Sequence, residues 1–143
     1  MNAHAYKILV ALDGSPRAPE VLAAAIRQAR AFDGELILLR AVGIPVDLPS
    51  EALSMPPGNL AETLAEIAEL DLARLAATVP ADLPLSRRVR IGVAWQAIVA
   101  EAAERHADLV VIGSHGFAGL DHLLGTTAAK VVNHAPCSTL VVR

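Results

Sequence analysis

Val110-Val-Ile-Gly-Ser-His-Gly-Phe-Ala-Gly-Leu-Asp-His-Leu-Leu-Gly-Thr-Thr-Ala-Ala-Lys130 holds the key to the fold in one passage. Its first residues continue an apolar run that starts after Asp108 and stops at Gly113. So short a run without polar alternation reads as a strand buried on both faces. A glycine-punctuated loop follows, and Gly125-Thr126-Thr127 opens a helix that reaches His134. Strand, loop and helix in that order make one βα unit of a parallel sheet.

The unit recurs on the N-terminal side. Ile8–Leu12 is a continuous apolar run closed by Asp13-Gly14-Ser15-Pro16, with Ser15 expected as the cap of a helix and Pro16 in its first turn. Val21, Leu22, Ala25, Ile26 and Ala29 follow at helical spacing, and Phe32-Asp33-Gly34 ends the helix. Glu35–Val42 is a second buried strand. Gly43 to Asn59 holds four prolines and two glycines with little periodicity, a long loop of the functional or mobile kind. From Leu60 to about Thr78 the pattern Leu60, Leu64, Ile67, Leu70/Asp71, Leu72 and Leu75, with Glu and Arg between, reads as an amphipathic helix. Leu85–Ile91 alternates in part, as an outer strand does. Gly92 to His106 is a helix with Ile98, Val99, Ala102 and Ala103 inward, and Ser138–Val142 is the last strand. The expected architecture is an α/β three-layer sandwich: a five-stranded parallel sheet with helices on both faces, with residues 1–143 forming one domain.

Bulk properties narrow the function. Hydrophobic residues make up 54% of the 143 residues and aromatics only 3%, which suits small-residue helices packed closely on a sheet. A formal charge of −3 without charged tails gives no general attraction to nucleic acid or anionic membrane. The dense basic spot, Arg87-Arg88-Val89-Arg90, reads as alternating charge on an exposed strand. Cys137, the single cysteine, reads as a small buried hydrophobe beside Pro136, with no zinc spacing around it. The N-terminus lacks a signal pattern and no apolar run approaches ~18 residues, so a cytoplasmic protein without a membrane span is the expectation.

In parallel α/β sheets ligands sit beyond the carboxyl ends of the strands, where strand order reverses. The first and fourth strands end in Asp13-Gly14-Ser15 and Gly113-Ser114-His115-Gly116. If these strands are neighbours, both loops line one crevice. Gly113, Gly116 and Gly125 permit close backbone approach to a ligand, and the helix beginning at Thr126 presents unpaired N–H groups to an anion. The same glycines also suit a tight turn and a helix start. Neither G-x-x-x-x-G-K-[ST] nor G-x-G-x-x-G is present. Lys130, one turn beyond Thr126, reads as a residue of a solvated helix face. His115 lies within the loop, where a neutral imidazole can bond a phosphate or ribose oxygen. His122 falls on the same loop, and His4, His106 and His134 fall at element ends. Asp13 suits a ribose acceptor, a magnesium-shell ligand or a turn residue.

Asp13 after the first strand, Val111-Ile112-Gly113-Ser114-His115-Gly116, Leu123-Leu124-Gly125-Thr126 and His134-Ala-Pro-Cys-Ser-Thr-Leu-Val-Val142 together resemble the universal stress protein family over nearly the whole chain. The resemblance implies a flavodoxin-like (Rossmann-like) fold, a homodimer, and the adenine-nucleotide site of the family's ATP-binding branch. It implies that Ala11, Leu12 and Asp13 contact adenine or ribose and that Ala41 lies against adenine. It further places Ile112 and Gly113 on the ribose side and His115 and Gly116 near ribose and phosphates. Gly125, Thr126, Thr127 and Ala128 would hold the phosphates. The branch's pattern G-2x-G-9x-G-[ST] is met except that eight residues separate Gly116 from Gly125, which leaves the identity of the phosphate chain open: ATP, ADP or AMP, with magnesium on the phosphates.

The sequence shows no paired acid and base and no nucleophile in register with a base. Phosphate binding without a catalytic lysine or base implies slow hydrolysis at best. The reading is an ATP-binding regulatory module of the stress response. The alternatives are a dimeric interaction protein with an empty cradle and an adenylyl-transferring enzyme of the same architecture. The terminal strand Ser138–Val142 is expected at a sheet edge, where pairing with a second copy would satisfy its free backbone groups.

Overall fold

Strands β1 (Lys7–Ala11), β2 (Glu35–Val42), β3 (Leu85–Ile91), β4 (Leu109–Gly113) and β5 (Ser138–Val142) form one sheet in the order β3-β2-β1-β4-β5, parallel throughout. The computed structural model describes residues 4–43, 59–114 and 124–143. Helices α1 (Ala18–Phe32), α2 (Asn59–Ala76), α3 (Ala94–Glu104) and α4 (Thr126–His134) connect the strands. Most of the Gly43 to Asn59 loop, with His115, Gly116 and His122, falls outside the described residues.

Alternation along the strands splits the interior into two cores. Ile8, Val10, Leu36, Leu38 and Val111 pack against α1 and α2, while Leu9, Ile37, Leu39, Val110 and Ile112 pack against α3 and α4. Because both faces are covered, β1, β2 and β4 read as unbroken apolar runs. Leu36, Ile37, Leu38 and Leu39 are all essentially buried, each contributing about 2 kcal/mol from removal of apolar surface. Gly34 is needed where β2 begins: a Cβ there would lie 2.6 Å from the Tyr6 carbonyl oxygen. That oxygen accepts the Glu35 N–H at 2.8 Å, the contact that starts the β1–β2 ladder.

Several local expectations change. Helix α1 begins at Ala18 with Arg17 as its N-cap and Pro19, not Pro16, in its first turn. The preceding loop has its own hydrogen bonds: Asp13 Oδ1 accepts the Ser15 N–H at 3.1 Å, and Ser15 Oγ accepts the Arg17 N–H at 3.3 Å. Ser15 therefore caps a turn that leads into the helix. On α2 the buried residues are Ala68 and Leu72, whereas Ile67 and Leu70 are exposed. The face that meets the sheet carries Ala68 and Leu72, with Leu75 and Ala76 packed beside them. On α3 the buried residues are Ala97, Ile98, Glu101 and Ala102, so Val99 and Ala103 do not form the inward stripe. Two non-glycine residues take left-handed backbone at helix ends, Asp33 (φ 51°) after α1 and His106 (φ 53°) after α3.

The basic cluster on β3 is structural. Glu101, with no exposed surface, accepts from Arg90 Nε at 3.1 Å and lies 3.3 Å from Arg88 Nε. Arg90 also pairs with Glu104, and Arg105 donates to Ser86 Oγ at 3.0 Å. The Ser86, Arg88 and Arg90 face of the edge strand thus joins α3 through polar contacts. On the opposite face Val89 packs into the α1/α2 core. Cys137 is half-buried against the α3/α4 core, and burial, followed by the charge of Asp108, pushes its thiol up from the ordinary range.

Candidate functional site

Strand order reverses between β1 and β4, which are hydrogen-bonded neighbours. A cavity of about 280 Å³ opens beyond their carboxyl ends. That is close to the lower bound of small-molecule sites, ~300 Å³. Ala11, Leu12 and Asp13 line it from the end of β1, Ala41 from β2, and Ile112 and Gly113 from β4. Gly125, Thr126, Thr127 and Ala128 line it from the start of α4. The structure therefore brings together every expected site residue that lies within the described residues.

Backbone hydrogen bonds hold this arrangement. Leu12 N–H donates to Leu39 O at 2.9 Å, and Ser114 N–H donates to Val142 O at 2.8 Å. Gly125 N–H donates to Ser114 O at 2.7 Å, so the chain between them leaves and returns to one point beside the cavity. Gly125 is the N-cap of α4 and makes no side-chain cap bond. The first hydrogen bond into the helix comes from Ala129 to Gly125 O. The N–H groups of Thr126, Thr127 and Ala128 thus have no acceptor among the described residues. They stand at the positive end of the helix dipole.

The glycines act otherwise than by left-handed backbone. Gly125 has φ −62° and ψ 160°, and among the described glycines positive φ occurs at Gly92. Gly113 and Gly125 both line the cavity.

Ser15, expected in one of the two crevice loops, also lines the cavity; Arg17, Ala18 and Val21 around the start of α1, with Ala94 and Ile98 of α3, line it too but were not placed there by the sequence. Leu39 lies two residues before Ala41, so strand periodicity could have placed it on the same face. Arg17 had no such signal, because it depends on the late start of α1. The described wall is apolar on the side of Val21, Leu39, Ala41, Ala94, Ile98 and Ile112 and small at its alanines. Asp13 and Arg17 are its charged residues.

The remaining sequence candidates lie outside this wall. Lys130 Nζ is 5.6 Å from the centroid of the Trp95 ring, a cation–π distance, which gives it a partner on α3. His134 lies tilted against the same ring, centroids 4.7 Å apart and planes at 39°, and bonds the Lys130 carbonyl at 2.7 Å. His4 lies 3.0 Å from Asp108 Oδ2. No helix among the described residues is long and apolar enough to cross a membrane.

The universal stress protein family model matches residues 5–143. Universal stress protein A homolog 1 of Coxiella burnetii is 34% identical over 142 residues, covering 97% of this chain and 96% of its own. The solved structure of the universal stress protein UspA from Lactobacillus plantarum superposes with a TM-score of 0.75 at 28% identity, covering 99% of this chain and all of that one. The universal stress protein from Archaeoglobus fulgidus, solved in complex with dAMP, shares the fold at a TM-score of 0.60 and 16% identity, with 98% of each chain covered.

Proposed function

The chain belongs to the universal stress protein family, and on that premise we propose that the cavity beyond β1 and β4 binds an adenine nucleotide, with ATP as the ligand of its regulatory form. The observation that carries this reading is the row of N–H groups at Thr126, Thr127 and Ala128, without acceptors among the described residues, beside an apolar, alanine-walled slot at the strand reversal. The slot has room for the base and ribose, and the helix N-terminus supplies donors to a phosphate. In this reading Ala41 lies against adenine and Asp13 accepts from the ribose. Ile112 and Gly113 close the ribose side, and Gly125 to Ala128 hold phosphate, with magnesium bound to the phosphates. His115 and Gly116 complete the site from outside the described residues. The dAMP complex of the Archaeoglobus fulgidus protein gives the fold a precedent for an adenine ligand.

Asp13 and Arg17 are the titratable side chains on the described wall, and they offer no acid–base pair to activate water. In this reading the protein is a holder of nucleotide with at most slow ATP hydrolysis. The edge position of β5 supports a dimer in which Ser138–Val142 pairs with the same strand of a second copy.

Acid extraction of the purified protein, followed by chromatography, tests the ligand. Release of adenine nucleotide near one per chain, or a thermal shift on adding Mg-ATP, is the expected result. The absence of both release and shift overturns the reading. Light scattering of the same sample is expected to give twice the mass of the chain, and the mass of one chain would refute the dimer.

A further inference from the structure

We propose that Arg17 grades the ligands of this cavity by charge, pairing with the outer phosphates of a nucleoside di- or triphosphate. The inference rests on the nucleotide reading above and assigns it a residue that neither the family resemblance nor the sequence pattern supplied.

Charge matching is the first argument. A nucleoside di- or triphosphate brings roughly three or four negative charges at neutral pH, whereas a helix N-terminus provides the equivalent of roughly half a positive charge. The donors of α4 therefore serve one phosphate group and leave most of the chain unneutralised. Among the described lining residues Arg17 is the cation. It belongs to the α1 end of the crevice, while the free N–H groups belong to the α4 end.

The loop that carries Arg17 supplies the second argument. Its backbone is held by the Asp13–Ser15 and Ser15–Arg17 hydrogen bonds, and Ser15 is 5% exposed. Pro16 fixes one more dihedral. Arg40 of β2 lies close to the loop: a Cβ on Gly14 would lie 2.7 Å from Arg40 Nη2. The backbone of Arg17 is thus positioned, yet its guanidinium has no hydrogen-bond or ion-pair partner among the described residues. Arg30, Arg74, Arg87, Arg88, Arg90 and Arg105 are paired with Asp82, Asp71, Glu69, Glu101, Glu104 or Ser86, and of the described arginines without such a partner (Arg17, Arg27, Arg40 and Arg143) Arg17 is the one that lines the cavity. A guanidinium presents five N–H donors in a planar fork that matches phosphate oxygens two at a time. Together with Arg40 it outweighs the one carboxylate of Asp13, so this rim favours an anion.

The test is calorimetric titration of wild type, Arg17→Ala and Arg17→Lys with ATP, ADP, AMP and adenosine at one salt concentration. Arg17→Ala is expected to weaken ATP and ADP by about tenfold or more and to change AMP and adenosine by less than about twofold. Arg17→Lys is expected to recover part of the loss, because the charge survives and the fork does not. Of the two loop hydrogen bonds, Ser15–Arg17 uses only the backbone of residue 17 and Asp13–Ser15 does not involve it, so both variants keep the melting temperature of wild type. An equal loss for all four ligands, or no loss for any, overturns the assignment while leaving the nucleotide site standing. Failure of the wild-type protein to bind any of the four overturns the nucleotide site and the assignment with it.

Discussion

A Gly125→Val substitution is expected to lower ATP affinity by about 10- to 100-fold while the protein still folds. Gly125 has φ −62° and ψ 160°, a region open to every residue, so valine enters without backbone strain. The Gly125 N–H bond to Ser114 O is made by the backbone and survives. Glycine outranks valine as an N-cap, which costs the helix no more than about 1 kcal/mol. At the cavity the balance is different. Three added carbons on the wall of a space of about 280 Å³ overfill the phosphate end of a ligand already close to the size of the site. Overpacking costs about 1–3 kcal/mol, and each 1.4 kcal/mol is a tenfold loss. Calorimetry with ATP, beside a circular-dichroism melt, separates the two effects. Affinity equal to that of wild type would place the ligand elsewhere.

Glu101→Ala is expected to destabilise the fold by about 3 kcal/mol, read from urea unfolding. Glu101 has no exposed surface and receives Arg90 at 3.1 Å and Arg88 at 3.3 Å. Removing one partner of a buried pair leaves the other charge uncompensated, which costs about 3–5 kcal/mol. The lower figure applies because Arg88 is half exposed and Arg90 keeps Glu104. Glu101→Gln is expected to cost less, since its carbonyl still accepts from Arg90 and the shape is retained. Glu101 Oε1 has no hydrogen-bond partner in the protein among the described residues, so the amide nitrogen can take that place without displacing a donor. The loss should fall on β3 first. This edge strand meets α3 through Ser86, Arg88 and Arg90; removing Glu101 takes away the contact of Arg88 and one of the two contacts of Arg90, leaving Arg90–Glu104 and Ser86–Arg105. Equal stability of Glu101→Ala and wild type would show that the ladder to β2 and the packing of α2 hold the strand without Glu101.

The sheet was legible because buried parallel strands announce themselves. Ile37 and Leu38 face opposite cores, both apolar, so the whole run from Leu36 to Leu39 stands out. The expected bounds of β2, β3, β5 and α4 agree with the structure for this reason and because glycine, proline or polar residues flank them. Helix faces were less legible. Ile67 and Leu70 satisfy a helical period as well as Ala68 and Leu72 do, and only the position of α2 against the sheet decides between them. Glu101 was hidden by a similar cause. A glutamate within a helix reads as surface until the strand opposite it is known to carry Arg88 and Arg90. At the site, Asp13 and the Gly125–Ala128 segment were legible because turn residues and a helix start leave local signals. Arg17 was not, because its place on the cavity wall depends on the hydrogen bonds of Asp13 and Ser15 delaying α1.

Amide-resolved NMR of the labelled protein titrated with Mg-ATP tests the nucleotide site most directly. The expected result is a saturable set of shifts at Ala11, Leu12 and Asp13, at Ala41, at Ile112 and Gly113, and above all at the amides of Thr126, Thr127 and Ala128, with β3 and the outer face of α2 unmoved. Spectra unchanged at millimolar Mg-ATP, or shifts confined to residues away from β1, β4 and the start of α4, would contradict it.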